Sequence, residues 1–291
     1  MQKAFEVSGP AEIDVRLASG DIEVDPTLEG RVEIELVAHD EESQRLVDEA
    51  RIELHDNHGR PQLIVDVPHK GRGFSFSLVF GRSGISCRIR CPRGSLFSAR
   101  TKSADVRAGG TIGGLNVGTA SGDVEANQVD GSVNIKSASG DVRVRETGGG
   151  VNVQTASGDT ELDVVRGAIN VASASGDVAI GEAYDNVSAN TVSGDQAHGA
   201  VMRGQVSATS VSGDITVGVR RGSKVYLDCN TVSGDTRSEL ELTTEAPAGD
   251  GPLVEIRAKT VSGDIRITRA PAPATDLSDT GLSNTVQEVH S

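Results

Sequence analysis

The sequence predicts an all-β protein: a β-solenoid of about 18-residue coils, with a short helix in an N-terminal cap region. Three observations predict it. A Ser-Gly-Asp motif recurs at fixed spacing, apolar positions keep one register around every copy, and the composition combines 35 glycines with only 2% aromatics.

The spacing comes first. Asp123, Asp141, Asp159, Asp177 and Asp195 follow one another at 18 residues, and Asp214, Asp235 and Asp264 come at steps of 19, 21 and 29. A degenerate Ser103-Ala104-Asp105 stands 18 before Asp123, and Ser19-Gly20-Asp21 is a detached first copy. Eight residues before the aspartates lie Ile13, Phe97, Leu115, Val133, Val151, Ile169, Val187, Val206, Leu227 and Ile256. Six before lie small or β-branched residues from Val15 and Ala99 to Cys229 and Ala258, and Cys229 simply fills its place in that column. A chance tripeptide would not carry such flanks.

Four before the aspartate stands Thr or Ser in nine of ten copies, and three before stands Ala or Val in nine. Successive strand side chains point to opposite faces, so this order predicts a corner where the apolar parity switches. Apolar residues return one and three after the aspartate, as at Val142 and Val144 or Ile215 and Val217. Each unit is two short strands with corners, and one unit alone has nothing to pack against. Stacking coils ~4.8 Å apart converts each apolar position into an interior column, so nine contiguous units give a rod of roughly 40 Å.

The chain divides accordingly. Residues 1–94 form a β-rich cap containing the first repeat unit and a helix at about 40–51, whose early acids suit the helix dipole. Residues 95–269 form the solenoid, and residues 270–291, with Pro-Ala-Pro-Ala and no periodicity, read as a disordered tail. A cap is expected because a bare solenoid end exposes unpaired strand edges. End-to-end or edge self-association is open to such a rod.

Units such as Thr119-Ala120-Ser121-Gly122-Asp123-Val124 and Ser137-Ala138-Ser139-Gly140-Asp141-Val142 resemble the putative-adhesin β-strand repeat family of bacterial proteins, a domain of unknown function. The resemblance covers nearly the whole chain except the tail. It implies a β-strand repeat fold and an adhesin-like interaction role.

The formal charge of −14 disfavours nucleic acid, whose binding needs clustered Lys and Arg. No stretch approaches the ~18 apolar residues of a spanning helix, so membrane insertion is not expected, and the N-terminus lacks an apolar signal core. With three cysteines in no disulfide pattern, the expected compartment is the cytoplasm. Cys87 and Cys91 would sit ~13 Å apart on a strand, too far to bridge, and read as buried small apolar residues.

The aspartates Asp21, Asp105, Asp123, Asp141, Asp159, Asp177, Asp195, Asp214, Asp235 and Asp264 are the regular ionisable array. In-register stacking would set like charges ~4.8 Å apart, a repulsion near 1 kcal/mol per neighbour in water. The structural reading has each carboxylate accept hydrogen bonds from backbone N–H groups of its own Ser-Gly turn. A second reading is a calcium ladder over Asp123, Asp141, Asp159, Asp177 and Asp195, although the glycine-rich nonapeptide of calcium β-rolls is missing. The Thr/Ser column reads as a corner whose hydroxyls bond along the stack. Gln196 and His198 break the apolar pattern and read as a corner bulging into solvent. His55-Asp56-Asn57-His58 reads as a hairpin turn rather than a metal site.

No catalytic residues and no cofactor are expected, because identical acids in every coil do not converge as nucleophile, base and oxyanion donors do. The expected function is a non-catalytic scaffold or adhesin-like interaction module with a protein or glycan partner. The alternative is a carbohydrate-active β-helix enzyme or a lectin-like glycan binder.

Overall fold

The computed structural model describes residues 1–57, 59–68, 84–240 and 251–270. Of the expected tail at 270–291 all but Ala270, which is buried, lies outside them, as does His58, the second imidazole of the expected hairpin.

The chain opens with β1 (Gln2–Glu6), β2 (Glu12–Asp25) and β3 (Arg31–Ala38), then α1 (Glu41–Asp48), β4 (Arg51–Asn57), β5 (Arg60–Asp66) and β6 (Ile85–Arg90). The helix is shorter than the expected 40–51. Asp40 caps it by accepting from the Ser43 N–H at 2.7 Å, which holds its carboxyl below the usual range, and strand β4 begins by Arg51. Next, β7 (Leu96–Ile112) runs through a complete coil and pairs in parallel with β2 in the register Asp21 to Asp105. The detached first unit is therefore the next coil of the stack.

The coils above each supply two strands. They are β8 (Gly114–Thr119) with β9 (Val124–Val129), β10 (Val133–Ser137) with β11 (Val142–Thr147), and β12 (Val151–Ser157) with β13 (Thr160–Val165). Then come β14 (Ile169–Ser175) with β15 (Val178–Ala183), β16 (Val187–Ser193) with β17 (Gln196–Val201), and β18 (Gly204–Thr209) with β19 (Ile215–Val219). First strands pair only with first strands and second with second, always parallel, as in Val151 to Ile169 and Leu162 to Ile180. The rod is thus two parallel files closed around one interior.

The final two units break chain order. Strands β20 (Lys224–Ser233) and β21 (Thr236–Ser238) carry Asp235, whereas β22 (Leu253–Ser262) and β23 (Ile265–Arg269) carry Asp264. Yet β22 lies between β18 and β20, and β23 lies between β19 and β21. Asp264's coil is inserted beneath Asp235's, which corrects the expectation of nine units stacked in sequence order. The chain climbs two levels in the 21-residue step from Asp214 to Asp235 and returns one level in the 29-residue step to Asp264.

The interior follows the predicted columns. Val151, Val153 and Leu162 are buried, as are their equivalents up to Ile256 and Ala258, while Val164, expected inside, is only partly buried, as are Leu227 and Cys229 in the last coil. The parity switch does not fall between the Thr/Ser and Ala/Val positions as predicted but across the Ser-Gly-Asp turn, where inward Val151, Val153 and Thr155 give way to inward Thr160 and Leu162. The Thr/Ser position continues inward, with Thr155, Ser173, Thr191, Ser210 and Thr260 buried, and the Ala/Val position faces solvent. The hydroxyls of Thr191 and Thr260 donate to turn carbonyls there, whereas those of Thr155, Ser173 and Ser210 are buried without a partner.

At the N-terminal end the repeat gives way to antiparallel pairing. Beneath β2 lie β5 and β6, and β4 then pairs antiparallel with β5, β3 with β6 and β1 with β3.

Candidate functional site

The aspartate array is built by its glycines. Gly176 and Gly194 hold φ of 136° and 153°, where an L side chain is strained, and a Cβ on either would collide with the carbonyl oxygen of the glycine one coil below. Backbones therefore meet at closest approach in this corner. Each aspartate follows with its side chain directed along the stack.

The carboxylates do not bond to their own turns, as the sequence suggested. The N–H of Asp123 donates to Oδ1 of Asp105 at 3.0 Å, and Asp141 to Asp123, Asp159 to Asp141, Asp177 to Asp159 and Asp195 to Asp177 repeat the bond at 2.8–3.0 Å. Asp214 continues it onto Asp195, Asp264 onto Asp214 and Asp235 onto Asp264, each at 2.8 Å. The bonds thus follow the spatial order of the coils, not the chain. Each N–H finds the carboxylate of the coil beneath because these turns are in register and the ordinary strand ladder lapses at the corner. A charge-assisted bond stabilises more than a neutral one, which offsets the repulsion along the column. Asp21 and Asp105 are bridged differently, both within 3.4 Å of the Arg107 guanidinium.

A neighbouring column that sequence reasoning missed neutralises part of the charge. Two residues after each aspartate, the stack reads Glu23, Arg107, Glu125, Arg143 and Glu161, with Arg88 beneath Glu23. Arg88 meets Glu23 at 3.0 Å, Arg107 meets Glu125 at 3.7 Å and Arg143 meets Glu161 at 2.6 Å. Their carboxylate partners raise the Arg88 and Arg143 guanidinium pKa values. Reading that column across the repeats would have exposed the alternation. Together the two columns line a shallow groove past Asp123, Asp141, Asp159 and Asp177. Among the described residues, no three His, Cys, Asp or Glu side chains converge to hold a metal ion.

The hydroxyl column bonds to the glycine corner in some coils only, since the buried hydroxyls of Ser137, Thr155, Ser173 and Ser210 have no hydrogen-bond partner. Thr191 donates to Gly194 O, Thr260 to Gly213 O and Thr231 to Gly263 O, while Thr101 donates to the Thr119 hydroxyl at 2.9 Å. On the outer face of the first file, Asn134, Asn152 and Asn170 each donate a side-chain N–H to the asparagine below, beginning at Asn116.

A family model described as Toastrack DUF4097 matches residues 10–268. The chain belongs to that family. It is a family of β-solenoids without an assigned function, in keeping with the repeat-family resemblance read from the sequence. No curated protein matches the chain. Similar solved structures include a putative adhesin from Bacteroides fragilis NCTC 9343, 15% identical, with a TM-score of 0.48 over 92% of this chain and 96% of that one. Another, from Parabacteroides distasonis ATCC 8503, is 13% identical with a TM-score of 0.45 over 91% and 96%. A third, also from Parabacteroides distasonis ATCC 8503, is a putative lipid binding protein, 16% identical with a TM-score of 0.45 over 92% and 96%. Among the described residues, no helix is long and apolar enough to cross a membrane.

Within this Toastrack chain the break at Gln196 and His198 lies inside, not in solvent as the sequence suggested. Both are 1% exposed and occupy the inward columns beside Val178 and Ile180 below and Ile215 and Val217 above. The amide of Gln196 donates to Thr191 Oγ1 at 3.0 Å and Thr209 O at 2.8 Å. Neither ring nitrogen of His198 has a partner, and burial pushes its pKa down to about 4. At this level the first file's inward column changes from Val153 and Val171 to the smaller Ala189 and Ala208, all buried.

Cys87 and Cys91 are free and buried, which pushes their thiols up to about 12 and about 11. His55 lies on β4 near the turn into β5, with Nε2 3.1 Å from Glu53, and the Gly59 N–H donates to Asp56.

Proposed function

We propose that this chain is a non-catalytic, adhesin-like rod that displays a repeating surface to a protein or glycan partner. The observation that carries the reading is that the acids recur in one geometry in every coil, each from Asp105 to Asp264 in the stack engaged by the N–H of the coil above. A catalytic acid or base needs a place where unlike groups converge, and a translational array supplies none. The net charge of −14 supports a partner other than nucleic acid. Free thiols at Cys87, Cys91 and Cys229 support a reducing compartment, with the cytoplasm as its place.

Incubation with a panel of linear glycans, read both as retention and as release of reducing ends, tests this function. Retention of a glycan or of no glycan, without reducing-end release, is expected. Release that disappears on Asp159→Asn alone would identify an enzyme and overturn the reading.

A further inference from the structure

The C-terminal end of the stack is unlike every coil below it. The Lys224 N–H donates to Pro252 O at 2.9 Å, which sets the amides of even-numbered residues of β20 toward β22. Those of Val225, Leu227 and Cys229 consequently face the other side, where no strand pairs among the described residues. Val225, Leu227 and Cys229 are half-buried although their columns are sealed elsewhere. Beside them Tyr226 is 58% exposed and Val232 79%.

Charge gives a second, independent indication. Residues 224–238 contain Lys224, Arg237, Asp228 and Asp235, two positive and two negative, so this coil is neutral within a chain of −14. Edge strands that must stay single are guarded by proline, bulges or several charges. Here there is no proline, and along β20 only Lys224 and Asp228 are charged. The opposite end is guarded, with Arg51, Glu53 and Asp56 along the outer strand β4.

We propose that two copies of this chain associate through these same ends, with β20 of one pairing antiparallel with β20 of the other across a two-fold axis. A suitable occupant must offer an unpaired strand edge, an apolar column of the same width and no net negative charge. A second copy offers all three by identity. The charged N-terminal end does not, so head-to-tail growth is disfavoured and the isologous contact closes at two.

Sedimentation of the full chain over a range of concentrations tests the proposal. A particle of twice the 30.2 kDa chain mass is expected. The double variant Tyr226→Lys, Asn230→Lys places like charges at the junction on exposed side chains and is expected to return the monomer without lowering its melting temperature. Amide exchange at Val225 and Leu227 should be slow in the dimer and fast in the variant. A monomer at every concentration, which would mean that the end stays open or is covered by the chain's own residues, would overturn the proposal. So would growth beyond two copies, or a dimer indifferent to the two lysines.

Discussion

The two ends of the rod meet one physical problem in opposite ways. At the N-terminal end the parallel repeat is stopped by sequence that does not repeat: β5 and β6 cover β2, and antiparallel β3 and β4 cover those. At the C-terminal end the last coil among the described residues is another repeat, its columns half open at Val225, Leu227 and Cys229. A translational repeat contains no instruction to stop. Whatever ends it must come from outside the repeat, either from the same chain or from another one.

The same contrast separates the middle of the rod from its final coil. In the middle, Gly176 combines a φ of 136° with a backbone contact that leaves no room for a side chain, whereas Gly222, φ 81°, has open space around its missing Cβ. Backbone strain and overpacking each cost about 1–3 kcal/mol, so Gly176→Val should destabilise by about 4 kcal/mol. Gly222→Ala should cost about 1 kcal/mol. Chemical denaturation of both variants checks the pair, and equal losses would show that coil stacking does not depend on close glycine contact.

A middle-sized effect sharpens the comparison through pH. In the folded chain His198 stays neutral down to about pH 4, whereas the unfolded chain gains that proton near 6.5. Between those values the unfolded state holds more protons, so stability is full above about pH 6.5 and declines as pH falls toward 4. The difference corresponds to about 3 kcal/mol. His198→Val should remove that part of the acid sensitivity, measured as the change in unfolding free energy between pH 7 and pH 4.5. An identical slope in wild type and variant would mean that the imidazole is not sealed in the native core.

The inward columns were legible in the sequence because a two-residue alternation interrupted at fixed distance from a glycine has few other physical solutions. Val151, Val153 and Leu162 lie where the pattern puts them. Neighbour order was not legible at the last two units, since periodicity identifies coils without saying which one each coil touches. Asp235 and Asp264 exchange places although their motifs are identical. The Thr/Ser and Ala/Val columns were misassigned because hydropathy ranks alanine and valine inside, whereas the strand alternation through Val151 and Val153 carries Thr155 inward and leaves Ala156 outside. His198 was placed in solvent on the same ground, although it is 1% exposed. As for the candidate site, the motif marked every aspartate but not its acceptor role. Bonds between residues 18 apart appear only when two coils are superposed.

The smallest expected effects test the central claim, that the carboxylates bond the coil above rather than an ion. Asp159 accepts the Asp177 N–H at 2.8 Å, whereas Asp235, uppermost in the stack, has Arg237 at 3.2 Å as its side-chain partner among the described residues. Asp159→Ala should cost about 2 kcal/mol, Asp159→Asn less because its oxygen still accepts, and Asp235→Ala almost nothing. The most direct measurement is thermal unfolding of wild type and of the Asp141→Asn, Asp159→Asn, Asp177→Asn triple variant, each with calcium and with chelator. The ladder of backbone bonds predicts a wild-type melting temperature indifferent to calcium and a triple variant that stays folded. A calcium-induced rise in wild type that vanishes in the triple variant would contradict it, because only an ion bound preferentially to the native state stabilises in that way.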